Sequence, residues 1–500
     1  MNKLFKTSKL SASIIMTLAI LVAINFGAYH IFKRWDLTVN QLYSLSEVSR
    51  TTVKNLDKEV EIEVLFGPEM PAQYLNLQQS VNDILAEYAS YSRNIQIKVV
   101  EPENITKRAE ALKLPRVQFN TLRKDKLEVL NGYLGLALQY EGKTEIIPVV
   151  QDTSNLEYQI TSLIKKLTSP ELPVIGWVQS HGAFDINKQT QVAYQAIAKL
   201  YTIKTVDLST AEAIDSSIKT LIIPGLKSAM EEPALQKIND FLMQGKTALL
   251  LEEKVGLGNN LSYHATANNL DQLLVQYGLK VNEQLVLDKV NAVAPFNQGY
   301  VTFNINYPFW PKLANANFAQ DVPAVAKLEG IVLPWTTSLS ITDQLSTSTK
   351  VDYLAKTSDQ AWIKSGDYNL MPNQNLYDNE ALQQYYVVVK LSGLTNSTTQ
   401  QSSADAQLIV VADSDFMQDQ ILQIYPQNLT LFQNLVDNLA LDSDLATIRA
   451  KEIIDRPIKE ISTVQKRWLR YGNVFGLTIL VIILGLTRYY WRRKSNHFSL

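Results

Sequence analysis

Residues 220–251 read TLIIPGLKSAMEEPALQKINDFLMQGKTALLL, and the fold turns on them. Residues 220–224 are an apolar run of strand length, stopped by Pro224 and Gly225. Residues 231–244 carry apolar side chains at helical spacing, and 247–251 form a second apolar run. Strands without polar alternation are buried on both faces. A strand, a helix and a strand in that order predict parallel pairing, with helices covering the sheet.

The same pattern extends both ways. Residues 174–179 and 202–208 predict earlier strands around a helix at 193–200. Residues 385–390 and 407–412 predict later ones, followed by a helix at 429–439. The stretch 259–384 is less regular and predicts insertions at the rim. Together these give a mostly parallel open-sheet domain of the Rossmann or flavodoxin type over 170–450, entered through the linker Pro170-Glu171-Leu172-Pro173. Upstream, 59–66 alternates as EVEIEVLF, a strand of period two. A helix at 75–91, a strand at 95–100, a short helix at 106–114, a hairpin around Glu141-Gly142 and a helix at 155–167 follow. That order predicts a thioredoxin-like domain over 36–168. Its redox cysteines are absent, so its expected role is binding or scaffolding.

Of 500 residues, 19% are charged and 46% apolar, with a net charge of −2. The balance offers no basic field to a nucleic acid. With no cysteine, disulfides, thiolate metal sites and cysteine nucleophiles are excluded. The four histidines are His30, His181, His264 and His497, too few for a His-rich metal centre.

Residues 10–32 contain no Asp, Glu, Lys or Arg. They are long for the apolar core of a signal peptide and end in bulky Tyr29, Ile31 and Phe32, so an uncleaved membrane helix is expected. Residues 471–487 form a second uncharged run, flanked by Trp468, Tyr489, Tyr490 and Trp491. Basic residues lie outside both runs: Lys3, Lys6 and Lys9 in a tail at 1–9, and Arg488, Arg492, Arg493 and Lys494 in a tail at 488–500. The expectation is a two-pass protein of the bacterial inner membrane, with both termini cytoplasmic. The large domain is then periplasmic, and 451–470 is a membrane-proximal linker. Lys466, Arg467 and Arg470 stand against this on the outer side and are read as headgroup contacts.

Three glycine motifs bear on nucleotides. Gly245-Lys246-Thr247 resembles the end of a phosphate loop, but Asp240 stands where the loop needs glycine. Gly142-Lys143-Thr144 fails in the same way at Ala137, and Gly256-Leu257-Gly258 lacks a third glycine at Leu261. No cofactor is expected. Ser180 and His181 follow one predicted strand, and Asp413 and Asp415 follow another. Ligands of open α/β sheets sit at the carboxyl ends of strands, so these four residues mark a candidate crevice. Turn closure and helix capping account for the same residue types. No catalytic set and no metal spacing is visible. Trp35 and Tyr43 lie in the segment 34–49, an expected partner-docking stretch that could instead pack on its own domain.

Several segments resemble the GldG family of auxiliary membrane subunits, which accompany an ABC-type transport system linked to gliding motility. They are RWDLT at 34–38 with LYSLS at 42–46, Ser180-His181-Gly182, LIIPG at 221–225, and 353–362 ending in Trp362. The most specific are VVADSDF at 410–416 and NLVDNL at 434–439, with Ile448-Arg449. The family's paired glycines after the second-domain helix are Gly245-Lys246 here. The resemblance implies a non-catalytic accessory subunit, with a separate ATPase subunit and a separate ABC permease subunit as partners. A tethered binding module for a glycan or other polar solute is the alternative.

Overall fold

In the computed structural model the described residues are 44–440, apart from 69, 72–73, 124–125, 154, 170–171, 253, 258–260, 299–300, 323, 365–369 and 373–380. Beyond that span they are 16–17, 467, 470–472, 475 and 484–488. The chain divides into two compact units, Met1–Glu452 and Ile453–Leu500.

The first sheet has five strands. Val60–Pro68 pairs in parallel with Ile95–Val99 across the helix Leu75–Tyr91. On its other side it pairs antiparallel with the long strand Lys126–Tyr140. That strand also carries Val117–Arg123 and Lys143–Ile147. The Glu141-Gly142 turn has positive φ at both residues, the handedness that suits a tight hairpin. Val60, Ile62, Val64 and Phe66 face one core with Val81, Leu85 and Tyr88 of the helix, as period-two and helical spacing require. Helix Glu47–Lys54 docks on helix Leu156–Thr168, where Glu157 Oε1 accepts from Ser46 N at 2.6 Å and Ser49 Oγ at 2.7 Å.

The second sheet has nine strands. Five are parallel, in the spatial order Thr202–Val206, Val174–Val178, Ile218–Pro224, Thr247–Leu251, Ser402–Val411. The chain then reverses. Tyr386–Thr395 pairs antiparallel with Ser402–Val411 and carries Lys350–Lys356 and Leu339–Ile341, the latter bordered by Leu279–Val281. Alternate strand residues feed two cores. Ile175, Trp177, Ile222, Leu249 and Ile409 pack under helices Gln191–Ala198 and Gln427–Ala440. Leu221, Ile223, Ala248, Leu250 and Leu408 pack under Glu232–Met243 and Leu270–Gln276. Residues 285–364 add two small sheets around Tyr307, Phe309, Trp310 and Trp362.

The expected architecture is corrected in two respects. The second sheet is mixed, because the hairpin around Asn396 returns the chain antiparallel and further strands join that edge. Membrane spans are the other correction. A span requires one continuous helix of about 20 apolar residues. Among the described residues no helix is long and apolar enough to cross a membrane. That finding contradicts the expected helices at 10–32 and 471–487, and with them the two-pass inner-membrane placement. Most of both segments lies outside the described residues, as do Trp35 and Tyr43. The structure is a mixed α/β chain.

Helix Gln191–Ala198 has no cap from its own neighbour Thr190. Asp419, far along the chain, supplies it: Oδ2 accepts from Gln191 N at 3.0 Å and Oδ1 from Val192 N at 2.9 Å. Asp419→Ala should cost about 1 kcal/mol, the usual worth of an N-terminal cap. Urea unfolding checks this; an unchanged midpoint would show that water replaces the carboxylate.

Candidate functional site

The parallel strands fix where chemistry can sit. After Val174–Val178 the chain goes first to one side, to Thr202–Val206, and then to the other, to Ile218–Pro224. The carboxyl ends of Val174–Val178 and Ile218–Pro224 therefore form the point where strand order reverses, the usual ligand crevice of an open sheet. Ser180 and His181 follow one of these strands and Gly225 the other.

His181 adopts a left-handed backbone, φ 54°, and its carbonyl accepts from the amides of Lys227 at 3.1 Å and Ser228 at 3.0 Å. Its ring is held between Ser180 Oγ, 3.0 Å from Nδ1, and Glu231 Oε2, 3.3 Å from Nε2. Ser180 Oγ accepts from Leu208 N at 3.1 Å. A Cβ at Gly182 would lie 3.1 Å from Lys227 Cβ, and one at Gly225 only 2.8 Å from Ser414 Oγ. Two glycines thus let the loops close over the crevice, and the Lys227 ammonium lies 5.0 Å over the Phe184 ring.

Asp413 and Asp415 lie elsewhere along the same edge. With Glu252, Lys254, Trp335 and Thr337 they line a void of about 10 Å³, room for one water at most. Asp413 Oδ1 accepts from Phe416 N at 3.2 Å, and Asp415 accepts from Gln418 Nε2. Burial pushes the Asp415 carboxyl up to about 6 against the opposing pull of Lys227. Burial likewise raises Glu252 to about 7, although the Lys254 ammonium lies 3.3 Å away. The four predicted residues therefore fall into two clusters, the serine and histidine in one and the aspartates in the other, with Lys227 between them. Among the described residues no three His, Asp or Glu side chains group so as to hold a metal ion.

Glu252 follows its strand just as Asp413 follows its own, so the same positional rule could have found it. Asp437 gives no such positional signal. It is a carboxyl on the apolar stripe of helix Gln427–Ala440, 1% exposed. It accepts from Tyr201 Oη at 2.7 Å and from Tyr158 Oη at 3.1 Å. Tyr158 comes from helix Leu156–Thr168, so this carboxyl ties the elements of the first sheet to those of the second. Burial pushes it up to about 7, against the pull of the Tyr201 bond and of Lys165. Its neighbours are equally anchored. Asn434 Nδ2 donates to Ala324 O at 2.7 Å, and Asn438 Oδ1 accepts from Lys390 Nζ at 2.7 Å.

A protein of Borreliella burgdorferi described as uncharacterized is 25% identical over 509 residues, spanning 97% of this chain and 98% of the relative. Among solved structures, the mmIFT52 N-terminal domain covers 53% of this chain and 97% of its own, at 14% identity and TM-score 0.36. A ThuA-like protein from Parabacteroides merdae covers 59% and 95%, at 9% identity and TM-score 0.26. Likeness at that level carries no argument. Residues 39–139 match a domain of unknown function. Residues 172–442, more than half of the chain, match the family described as ABC-type uncharacterized transport system, and the chain belongs to that family of auxiliary transport components.

Proposed function

We propose that this chain is a non-catalytic accessory subunit of a GldG-type ABC transport system. ATP is hydrolysed by a separate subunit, and the solute passes through a separate permease. The observation that carries the reading is the family match over 172–442. The local structure of the Gly-Lys-Thr motif supports it. Gly245, φ 79°, makes the turn from helix Glu232–Met243 into strand Thr247–Leu251. A phosphate loop follows a strand and opens a helix; this motif does the reverse, at the amino edge of the sheet. Lys246 Nζ donates to Ser216 O at 3.0 Å, and Thr247 Oγ1 bonds Thr220 Oγ1 at 2.8 Å. Lysine and threonine are both engaged in holding the turn.

The purified chain should therefore show no saturable ATP binding up to millimolar nucleotide, with or without magnesium. Isothermal titration checks this, and a micromolar Kd would overturn the assignment of the ATPase to another subunit.

A further inference from the structure

We propose that the cavity between helix Leu156–Thr168 and the end of helix Gln191–Ala198 is a binding site for a small organic anion with an apolar body. Its volume is about 370 Å³, within the range of small-molecule sites. It lies where elements of the first sheet meet those of the second, and such junctions are preferred ligand positions. Leu163, Leu200 and Ile147 give it apolar walls.

Two polar atoms point to an occupant. Ser162 is 3% exposed, lines the cavity, and its Oγ has no hydrogen-bond partner; Asn155 Oδ1, also on the wall, has none either. A buried polar group left unpaired costs roughly 1–3 kcal/mol, so native structures pair such groups with protein, water or ligand. These two stand beside apolar side chains, so a ligand bearing both characters meets the polar atoms and the apolar walls together, whereas water meets only the polar atoms.

Charge selects the class. Among the described residues, the charged side chains that line the cavity are Glu145, Lys166 and Lys199. Lys166 Nζ and Glu145 Oε1 neutralise each other at 2.7 Å. Lys199 is exposed, and among the described residues no acid lies within ion-pair distance of it. Among the described residues the Lys199 charge is thus unpaired at the rim of the pocket. A carboxylate or sulfonate on an apolar frame meets that charge, and a hydroxyl or amide on the same frame meets Ser162 and Asn155. The inference is independent of the accessory-subunit reading.

The test uses the full chain and the fluorescent probe 8-anilinonaphthalene-1-sulfonate, an apolar frame with one negative charge. One saturable site is expected, with a micromolar Kd. The uncharged analogue N-phenyl-1-naphthylamine should bind at least tenfold more weakly. Lys199→Glu, an exposed change that leaves packing intact, should weaken the sulfonate at least tenfold. Ala196→Trp, which fills the cavity from its half-buried rim, should abolish the site while circular dichroism stays native. Non-saturable binding, equal affinity for both probes, or an unchanged Kd in Lys199→Glu would overturn the proposal. So would retention of the site in folded Ala196→Trp, which would leave the cavity to ordered water.

Discussion

Asp437→Ala should destabilise the folded chain by about 3 kcal/mol at pH 5.5, because two buried tyrosine hydroxyls lose their shared acceptor. Tyr201 is 2% exposed and Tyr158 6%. Each hydroxyl left unsatisfied costs roughly 1–3 kcal/mol. Tyr158 also borders the cavity and can reach water there, which puts its share at the lower end. Asp437→Asn keeps the shape and one acceptor, and a tyrosine hydroxyl can accept as well as donate. It should therefore cost about 1 kcal/mol or less by the same reasoning. Urea unfolding of the two variants separates loss of the bridge from loss of charge. Equal midpoints for Asp437→Ala and wild type would show that the bridge contributes nothing.

Stability should fall, not rise, as pH goes from 5 to 8. Three buried carboxyls, Asp415, Glu252 and Asp437, are raised to about 6, 7 and 7, in each case because burial disfavours the charge. In the unfolded chain these groups ionise near pH 4. Between about pH 4 and pH 7 the folded state thus holds protons that the unfolded state has released. Their contribution is full below the unfolded value and is lost as pH rises through the folded values. One pKa unit corresponds to about 1.4 kcal/mol, so a loss of at least about 2 kcal/mol between pH 5 and pH 8 is expected. Asp185, Asp207, Asp215 and Glu231 are shifted the other way, by hydrogen bonds that favour the carboxylate. Their contribution is lost only as pH falls through values below the usual carboxylate range, outside this window. Asp437→Asn removes one of the three groups and should flatten the slope. Urea midpoints at pH 5, 6.5 and 8 decide it, and midpoints that climb across that range contradict the protonation pattern.

The parallel part of the second sheet was legible because a strand buried on both faces is apolar throughout: TLIIP and TALLL announce themselves, and the helix between them fixes the direction. The antiparallel edge was not. The strand Tyr386–Thr395 reads much like any buried strand, and its neighbour Leu339–Ile341 is too short to signal. The hairpin Asn291–Gln298 with Val301–Leu313 mixes prolines and asparagines into its strands, which mask its period. For the site, position was readable and occupancy was not. Ser180, His181, Asp413 and Asp415 sit at the carboxyl edge as strand order requires, but Lys227 comes between the two pairs and its spacing gives no hint of it. The uncharged terminal runs showed composition, and composition does not establish a continuous helix.

An auxiliary component of an ABC-type transport system, as proposed above, should assemble with the chains that carry the transport chemistry. Tagged full-length chain, isolated in mild detergent from cells that express it together with an ATPase subunit and a permease subunit of an ABC transport system, tests that most directly. The prediction is stable recovery of both partners through gel filtration, with ATP hydrolysis by the complex and none by the chain alone. Recovery of the chain by itself, or ATP turnover without a partner, would contradict it.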